Sequence, residues 1–154
     1  MTVIAKAAAR DMPQVRALFR EYVEALGVDL EFQAFEQELA GLPGRYAPPA
    51  GAILLARRGD ELLGCVAMRP LDAPGEVEMK RMYLRPAGRG RGLGRQLAQA
   101  IVGQARAAGY RRMRLDTLDR LAPALRIYRA MGFVETPPYY HSPLPGTVYL
   151  SLEL

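Results

Sequence analysis

Cysteine, histidine and asparagine are nearly or wholly missing from this chain. Cys65 is the only cysteine among 154 residues, which excludes an internal disulfide and any thiolate cluster for a metal. His141 is the only histidine, and it stands in a Pro-rich loop beside Tyr139 and Tyr140, so no metal-ligand constellation is expected. No apolar run approaches the length of a membrane span. The opening MTVIAKAAAR has a short apolar run that Lys6 and Arg10 interrupt, which does not read as a signal peptide. Low cysteine use and the lack of a span point to the reducing cytoplasm. Neither an internal repeat nor a low-complexity tail is found.

Acids are absent from one stretch. From Lys80 to Leu115 there are ten Lys and Arg and no Asp or Glu, against a net charge of +5 for the whole chain. The positive charge is therefore local. With 50% hydrophobic and 24% charged residues, the composition is that of a globular protein. The length suits one domain, 1–154, with a proper core.

The centre of the basic stretch is Arg89-Gly90-Arg91-Gly92-Leu93-Gly94, placed just before a helical pattern. Leu93, Leu97, Ala100, Ile101, Ala105 and Ala108 recur at three- and four-residue spacing and make one apolar face. A helix start offers backbone N–H groups without intrahelical partners and the positive end of the macrodipole. Glycines there let an anion approach the main chain. A phosphate or diphosphate is the natural guest. The dinucleotide fingerprint G-x-G-x-x-G fails, because its last position falls on Leu93 or Arg95. The P-loop fails as well, because no lysine follows these glycines.

Around this loop the chain reads as alternating elements. Thr2 to Ala7 is a strand. Asp11 caps a helix whose face is Val15, Leu18, Phe19, Tyr22, Val23 and Leu26, ended by Gly27. A second helical piece carries Phe32, Phe35 and Leu39. Ala52 to Arg57 and Glu61 to Met68 form a hairpin about Gly59-Asp60. Glu76 to Leu84 is a strand into the glycine loop, Arg112 to Asp116 another, and Leu121 to Met131 a helix capped by Gly132. Phe133-Val134 and Val148 to Leu154 supply the last strands. This order predicts an α/β layer on a mixed central sheet of about seven strands flanked by about four helices.

The loop matches Gln/Arg-x-x-Gly-x-Gly/Ala, and it resembles the acetyl-CoA loop of the GNAT superfamily of N-acetyltransferases. Met82-Tyr83-Leu84-Arg85-Pro86 looks like the end of that family's fourth strand. Ala124, Tyr128 and Gly132-Phe133 are similar to its tyrosine helix and the Gly-Phe that opens its sixth strand. The element order is also that of the GNAT-like acyl-CoA N-acyltransferase fold.

The resemblance implies an acyltransferase that moves an acetyl group from acetyl-CoA to a primary amine by direct attack in a ternary complex, without a metal. It implies that the backbone of Met82, Tyr83 and Leu84 pairs with the pantetheine arm. The diphosphate would sit on the amides of Arg89, Gly90, Arg91, Gly92, Leu93, Gly94 and Arg95. The family often has an asparagine after strand five, and its absence here leaves Thr117 or a water as the substitute contact. Tyr128 is implied as general acid towards the leaving thiolate, and a core aromatic is its plainer role. Glu78 shares a strand face with Glu76 and is the candidate general base or amine-binding acid. The competing role for Glu78 is a solvent-facing strand edge paired with Lys80. Cys65 reads as inert packing.

The acceptor would be a small amine or a peptide amine, among Tyr22, Phe32, Tyr46, Tyr139, Tyr140 and His141. No membrane partner is expected, nucleic acid is disfavoured, and a homodimer stays open. The alternatives are a non-catalytic CoA-binding sensor and, from the basic stretch, a nucleic-acid-binding module.

Overall fold

The computed structural model describes residues 1–154, in which seven strands form one sheet with helices on both faces. In chain order the elements are β1 (Thr2–Lys6), α1 (Met12–Leu26), α2 (Phe35–Ala40), β2 (Ala52–Arg58), β3 (Glu61–Pro70) and β4 (Glu76–Leu84). They continue with α3 (Leu93–Ala107), β5 (Arg112–Leu118), α4 (Ala122–Ala130), β6 (Val134–Glu135) and β7 (Thr147–Glu153). The strands lie in the order β1-β2-β3-β4-β5-β7-β6, and β4 with β5 is the parallel pair in an otherwise antiparallel sheet. The expected order and the mixed sheet are both found.

The central strands are almost continuously apolar because each has two buried faces. In β2, Leu54 and Ala56 join the core under α3 and α4, while Ile53 and Leu55 join the core under α1 and α2. From α1, Val15, Leu18 and Phe19 are buried, and Gly27 ends the helix at φ 68°. From α3, Leu93, Leu97, Ile101 and Ala105 are buried as their spacing requires, and Ala98 and Val102 widen the stripe. Ala108 falls outside it.

Three local readings change. The Asp11 carboxylate does not cap α1; it turns back and accepts from the Ala8 N–H at 2.7 Å. The second helical piece is split, because Ala34 at φ 55° separates a 3₁₀ turn at Glu31–Gln33 from α2. Phe32 lies in that turn and is left exposed. At the end of α4 the cap is Met131, and Gly132 follows it at φ 100°.

Two irregularities in β4 shape the cleft of the sheet. Its pairing with β5 runs only from Glu76–Arg112 to Glu78–Arg114, whereas β5 stays paired with β7 as far as Leu118–Thr147. Beyond Glu78 the two parallel strands therefore part and open a notch in the sheet. On its other side, β4 carries a bulge against β3: Lys80 opposes Ala67 while Tyr83 opposes Cys65, with Arg81 at φ 61°. The extra residue breaks the alternation. Lys80 and Arg81 both project towards Gln33, and Arg81 reaches Glu38 of α2. Met82 returns to the α3–α4 side and Tyr83 to the α1 side.

Candidate active site

At the end of β4 the chain enters the glycine loop and then α3. Gly90 and Gly92 adopt φ 77° and 72°, left-handed values that favour glycine. Gly92 is the N-cap of α3, and no side chain caps the helix. None of the backbone N–H groups from Gly90 to Arg95 is engaged in a turn or cap hydrogen bond. A run of free amides at the positive end of a 15-residue helix is an anion cradle. Arg89, Arg91 and Arg95 are exposed around it, and Arg89 Nε donates to the Leu84 carbonyl at 3.1 Å. Leu93 turns its side chain into the core, so only its main chain faces the cradle. Gly94 lets α3 approach α4: a Cβ there would stand 3.2 Å from Ile127 Cδ1.

The notch between β4 and β5 leads to a narrow cavity of about 70 Å³, whose walls include Met82, Thr117, Asp116, Tyr128, Lys80 and Gln33. Tyr128 belongs to the α3–α4 core, edge-on to Phe133 at 5.7 Å, and it also faces this cavity. It is thus a core aromatic whose side chain also borders the cavity. Its hydroxyl has no partner stronger than the Met82 thioether, Oη to Sδ 3.9 Å. Burial pushes its pKa well above the ordinary phenol value, so the proton stays on Oη at neutral pH.

A second hollow of about 310 Å³ opens on the other side of Lys80 and Gln33. Glu78, Arg69, Tyr139, Tyr140, Phe32 and Arg45 are among its lining. Lys80 and Gln33 line both spaces and form the partition between them.

The face of β4 that carries Glu76, Glu78 and Lys80 is a buried ionic ladder. Glu76 accepts from Arg114 Nε at 2.6 Å and Arg112 Nη1 at 3.2 Å. The hydrogen bond from Arg114 draws the Glu76 pKa below the usual carboxylate value. Glu78 is 2% exposed and accepts from Arg69 Nε at 3.0 Å and from the Tyr139 hydroxyl. Arg81 grips Glu38 with two nitrogens at 2.9 and 3.0 Å. Burial alone would raise the Glu38 pKa, but the Arg81 hydrogen bond and charge prevail and lower it. Lys80 Nζ donates to Gln33 Oε1 at 3.0 Å and stands 3.6 Å from Asp116 Oδ1, with burial lowering its pKa. The other oxygen of Asp116 accepts from the Tyr140 hydroxyl at 2.7 Å.

Glu78 is therefore not on a solvent-facing edge, and its ion-pair partner is Arg69 of β3 rather than Lys80. The strand alternation of Glu76 and Glu78 is as expected. Arg69 stands opposite Glu78 on the neighbouring strand β3, and Tyr139, the other cover, comes from a distant part of the chain. Met82, Thr117 and Tyr128 share one cavity. Tyr83 sends its side chain to Glu21 of α1, leaving only its main chain towards the notch.

The aromatic residues divide. Tyr22 lines the narrow cavity, Phe32, Tyr139 and Tyr140 the second hollow, and Tyr46 a neighbouring one with Glu38. His141 is exposed and lines none of these. Cys65 is fully buried, and burial raises its thiol to about 12, which leaves it protonated and inert. Lys80, Asp116, Arg69 and Gln33 are the site residues that sequence reading passed over. Isolated polar residues in a strand or turn carry no motif, and the run of charges Glu76, Glu78, Lys80 and Arg81 in β4 is the only signal they leave.

Comparison with known proteins gives the family and the fold. Residues 12–133 match the model of the acetyltransferase (GNAT) family. An uncharacterised N-acetyltransferase of Schizosaccharomyces pombe is 46% identical over 148 residues, covering 94% of this chain and 90% of the relative. A GNAT-family acetyltransferase structure from Staphylococcus aureus superposes with a TM-score of 0.81 at 16% identity, covering 99% of each chain. A structure from Salmonella typhimurium, solved with its cofactor acetyl-CoA, superposes with a TM-score of 0.70 at 21% identity, covering 99% of this chain and 93% of that one.

Proposed function

Because the chain belongs to the acetyltransferase (GNAT) family and is an acyltransferase, we propose that it moves an acetyl group from acetyl-CoA to a primary amine by direct attack in a ternary complex. The observation that carries this reading is the continuity of two features. Free amides from Gly90 to Arg95 meet a notch where β4 loses its strand neighbour, and the notch ends on a buried tyrosine hydroxyl with only a thioether partner. A diphosphate fits the amides, and an extended amide-bearing arm fits the unpaired edge from Met82 to Leu84 as an added strand would. Thr117 faces the same arm from β5.

When bound, acetyl-CoA supplies a thioester carbonyl as the acyl donor. Tyr128 holds its proton at Oη, where burial keeps it, and releases it towards the departing sulfur as negative charge develops there. Glu78 takes the proton of the attacking amine, with the Tyr139 hydroxyl orienting one of its oxygens and Arg69 the other. The partition of Lys80 and Gln33 is where the two spaces meet and where amine and acyl donor are brought together. Each transferred proton is exchanged with solvent before the next turnover.

Thermal unfolding with acetyl-CoA, with NAD and ATP as controls, tests the donor. Ligand at a hundred times its Kd adds about 2.7 kcal/mol, a shift of roughly 5–10 °C for a domain of this size. A shift with acetyl-CoA alone is expected. No shift, or an equal shift with all three, overturns the assignment of the loop.

A further inference from the structure

We infer that the acceptor is an α-amino carboxylate, a free amino acid or a molecule that ends in one, and that Lys80 binds its carboxylate. The inference rests on the reading of the protein as an N-acetyltransferase and names the substrate class of that site.

It starts from the partners of the buried cations. Arg81 is closed by both oxygens of Glu38, Arg69 by Glu78 at 3.0 Å and Glu38 at 3.6 Å, and Arg114 by Glu76 at 2.6 Å. Lys80 differs from all of these. Its nearest carboxylate oxygen is 3.6 Å away on Asp116, which also accepts from Tyr140. Its one hydrogen bond goes to the neutral amide of Gln33. An ammonium group has three donors, and only one of them has a hydrogen-bond partner here. Its one ion pair, to Asp116 at 3.6 Å, is too long to be a hydrogen bond, so this buried cation keeps donors unused. A carboxylate entering the hollow provides the missing partner.

Position then fixes which carboxylate. Lys80 lines both the narrow cavity and the acceptor hollow. An anion bound to Nζ therefore sits at the meeting point of acceptor and acyl donor, so the reacting amine must be close to it in the acceptor's own covalent structure. An α-amino acid has its amine one carbon from the carboxylate. A peptide N-terminus places a neutral amide there and leaves Lys80 as it was.

The rest of the hollow agrees. The acceptor's ammonium faces Glu78 and Asp116, carboxylates on the same face of the sheet. Phe32, 39% exposed with no packing role in either core, and Leu71 offer an apolar wall for the acceptor's side chain. Arg45 stands at the rim with a hydrogen bond only to the Pro70 carbonyl and no carboxylate within ion-pair distance, and the exposed Asp72 lines the same hollow.

The test is steady-state release of free CoA by the full chain with acetyl-CoA and matched acceptors. Each amino acid is compared with its carboxamide and its decarboxylated amine, across aliphatic and aromatic side chains. Charge-assisted hydrogen bonds predict a preference in kcat/KM of about ten- to a hundredfold for the acid in the best series. In Lys80→Met the ratio of acid to amide should fall towards one. Should Lys80→Met fail to fold, Arg45→Ala at the exposed rim should raise KM for the acid several-fold with kcat little changed. Amides or amines turned over as well as the acids would overturn the inference, as would a preference that survives in Lys80→Met. If acetyl-CoA stabilises the chain and no amino acid is acetylated, the acceptor class is wrong while the donor assignment stands. If acetyl-CoA does not stabilise it, the underlying reading falls and this one with it.

Discussion

The two ends of the cleft present charge in opposite ways. At the glycine loop the arginines are exposed and the working groups are main-chain amides, held open by glycines and left uncapped by any side chain. At the acceptor end the working groups are side chains, buried and bound to one another: Glu76 with Arg114, Glu78 with Arg69, Glu38 with Arg81. Main-chain recognition is built from consecutive residues and tolerates variation in the side chains around it. Side-chain recognition in a buried site needs a partner for every charge, because a lone one costs several kcal/mol. Under the proposed function, the first end takes the donor and the second the acceptor.

Between the two lies Tyr128, and its removal should have the largest effect. Tyr128→Phe should lower kcat about 10²–10⁴-fold while the Kd for acetyl-CoA stays near wild type. The phenyl ring still packs on Phe133, so stability should change little. Turnover equal to wild type would leave Tyr128 as a core aromatic and nothing more.

The main-chain character of the loop can be tested at Gly92. Aspartate and asparagine both tolerate the left-handed backbone there and have nearly the same volume. Gly92→Asp adds a negative charge at the cradle and should weaken acetyl-CoA binding by about ten- to a hundredfold relative to Gly92→Asn, a difference of roughly 1.4–2.7 kcal/mol. Isothermal titration of the pair measures it. Equal affinities would mean that no anion sits on those amides.

The buried ladder should show itself through pH. The folded-state pKa of Glu76 lies below its ordinary value of 4.5. Its ion pairs therefore contribute fully above that value and are lost as the pH falls through the folded pKa. Glu76→Gln should lower stability by about 1–2 kcal/mol at pH 7, and the gap should close as the pH drops below the carboxylate range. Chemical denaturation at several pH values gives both numbers. A gap independent of pH would show that the change in packing, rather than the charge, is responsible.

Much of the fold was legible because it is written in periodic or consecutive residues. The apolar stripe of α3, the strand from Glu76 to Leu84 and the glycine loop all depend on neighbours within a few positions. So did Tyr128, one turn of helix from the Gly132-Phe133 that marks its place. The acceptor end was not legible. Nothing near Glu78 announces that Tyr139 will close over it, and nothing near Lys80 announces a partition between two spaces. The bulge at Arg81 was equally hidden, since strict alternation would send Arg81 to the α3–α4 side, away from Glu38.

By itself, then, the sequence determined the order of elements, the amphipathic faces and the anion cradle, all of which follow from local backbone preference and spacing. Tertiary structure alone decided where β4 and β5 part, which cations are hydrogen-bonded to carboxylates and that Lys80 is not. Those depend on strand register and on contacts between residues such as Glu78 and Tyr139, far apart in the chain, whose energies exist only once the sheet and its covering loops have brought them together.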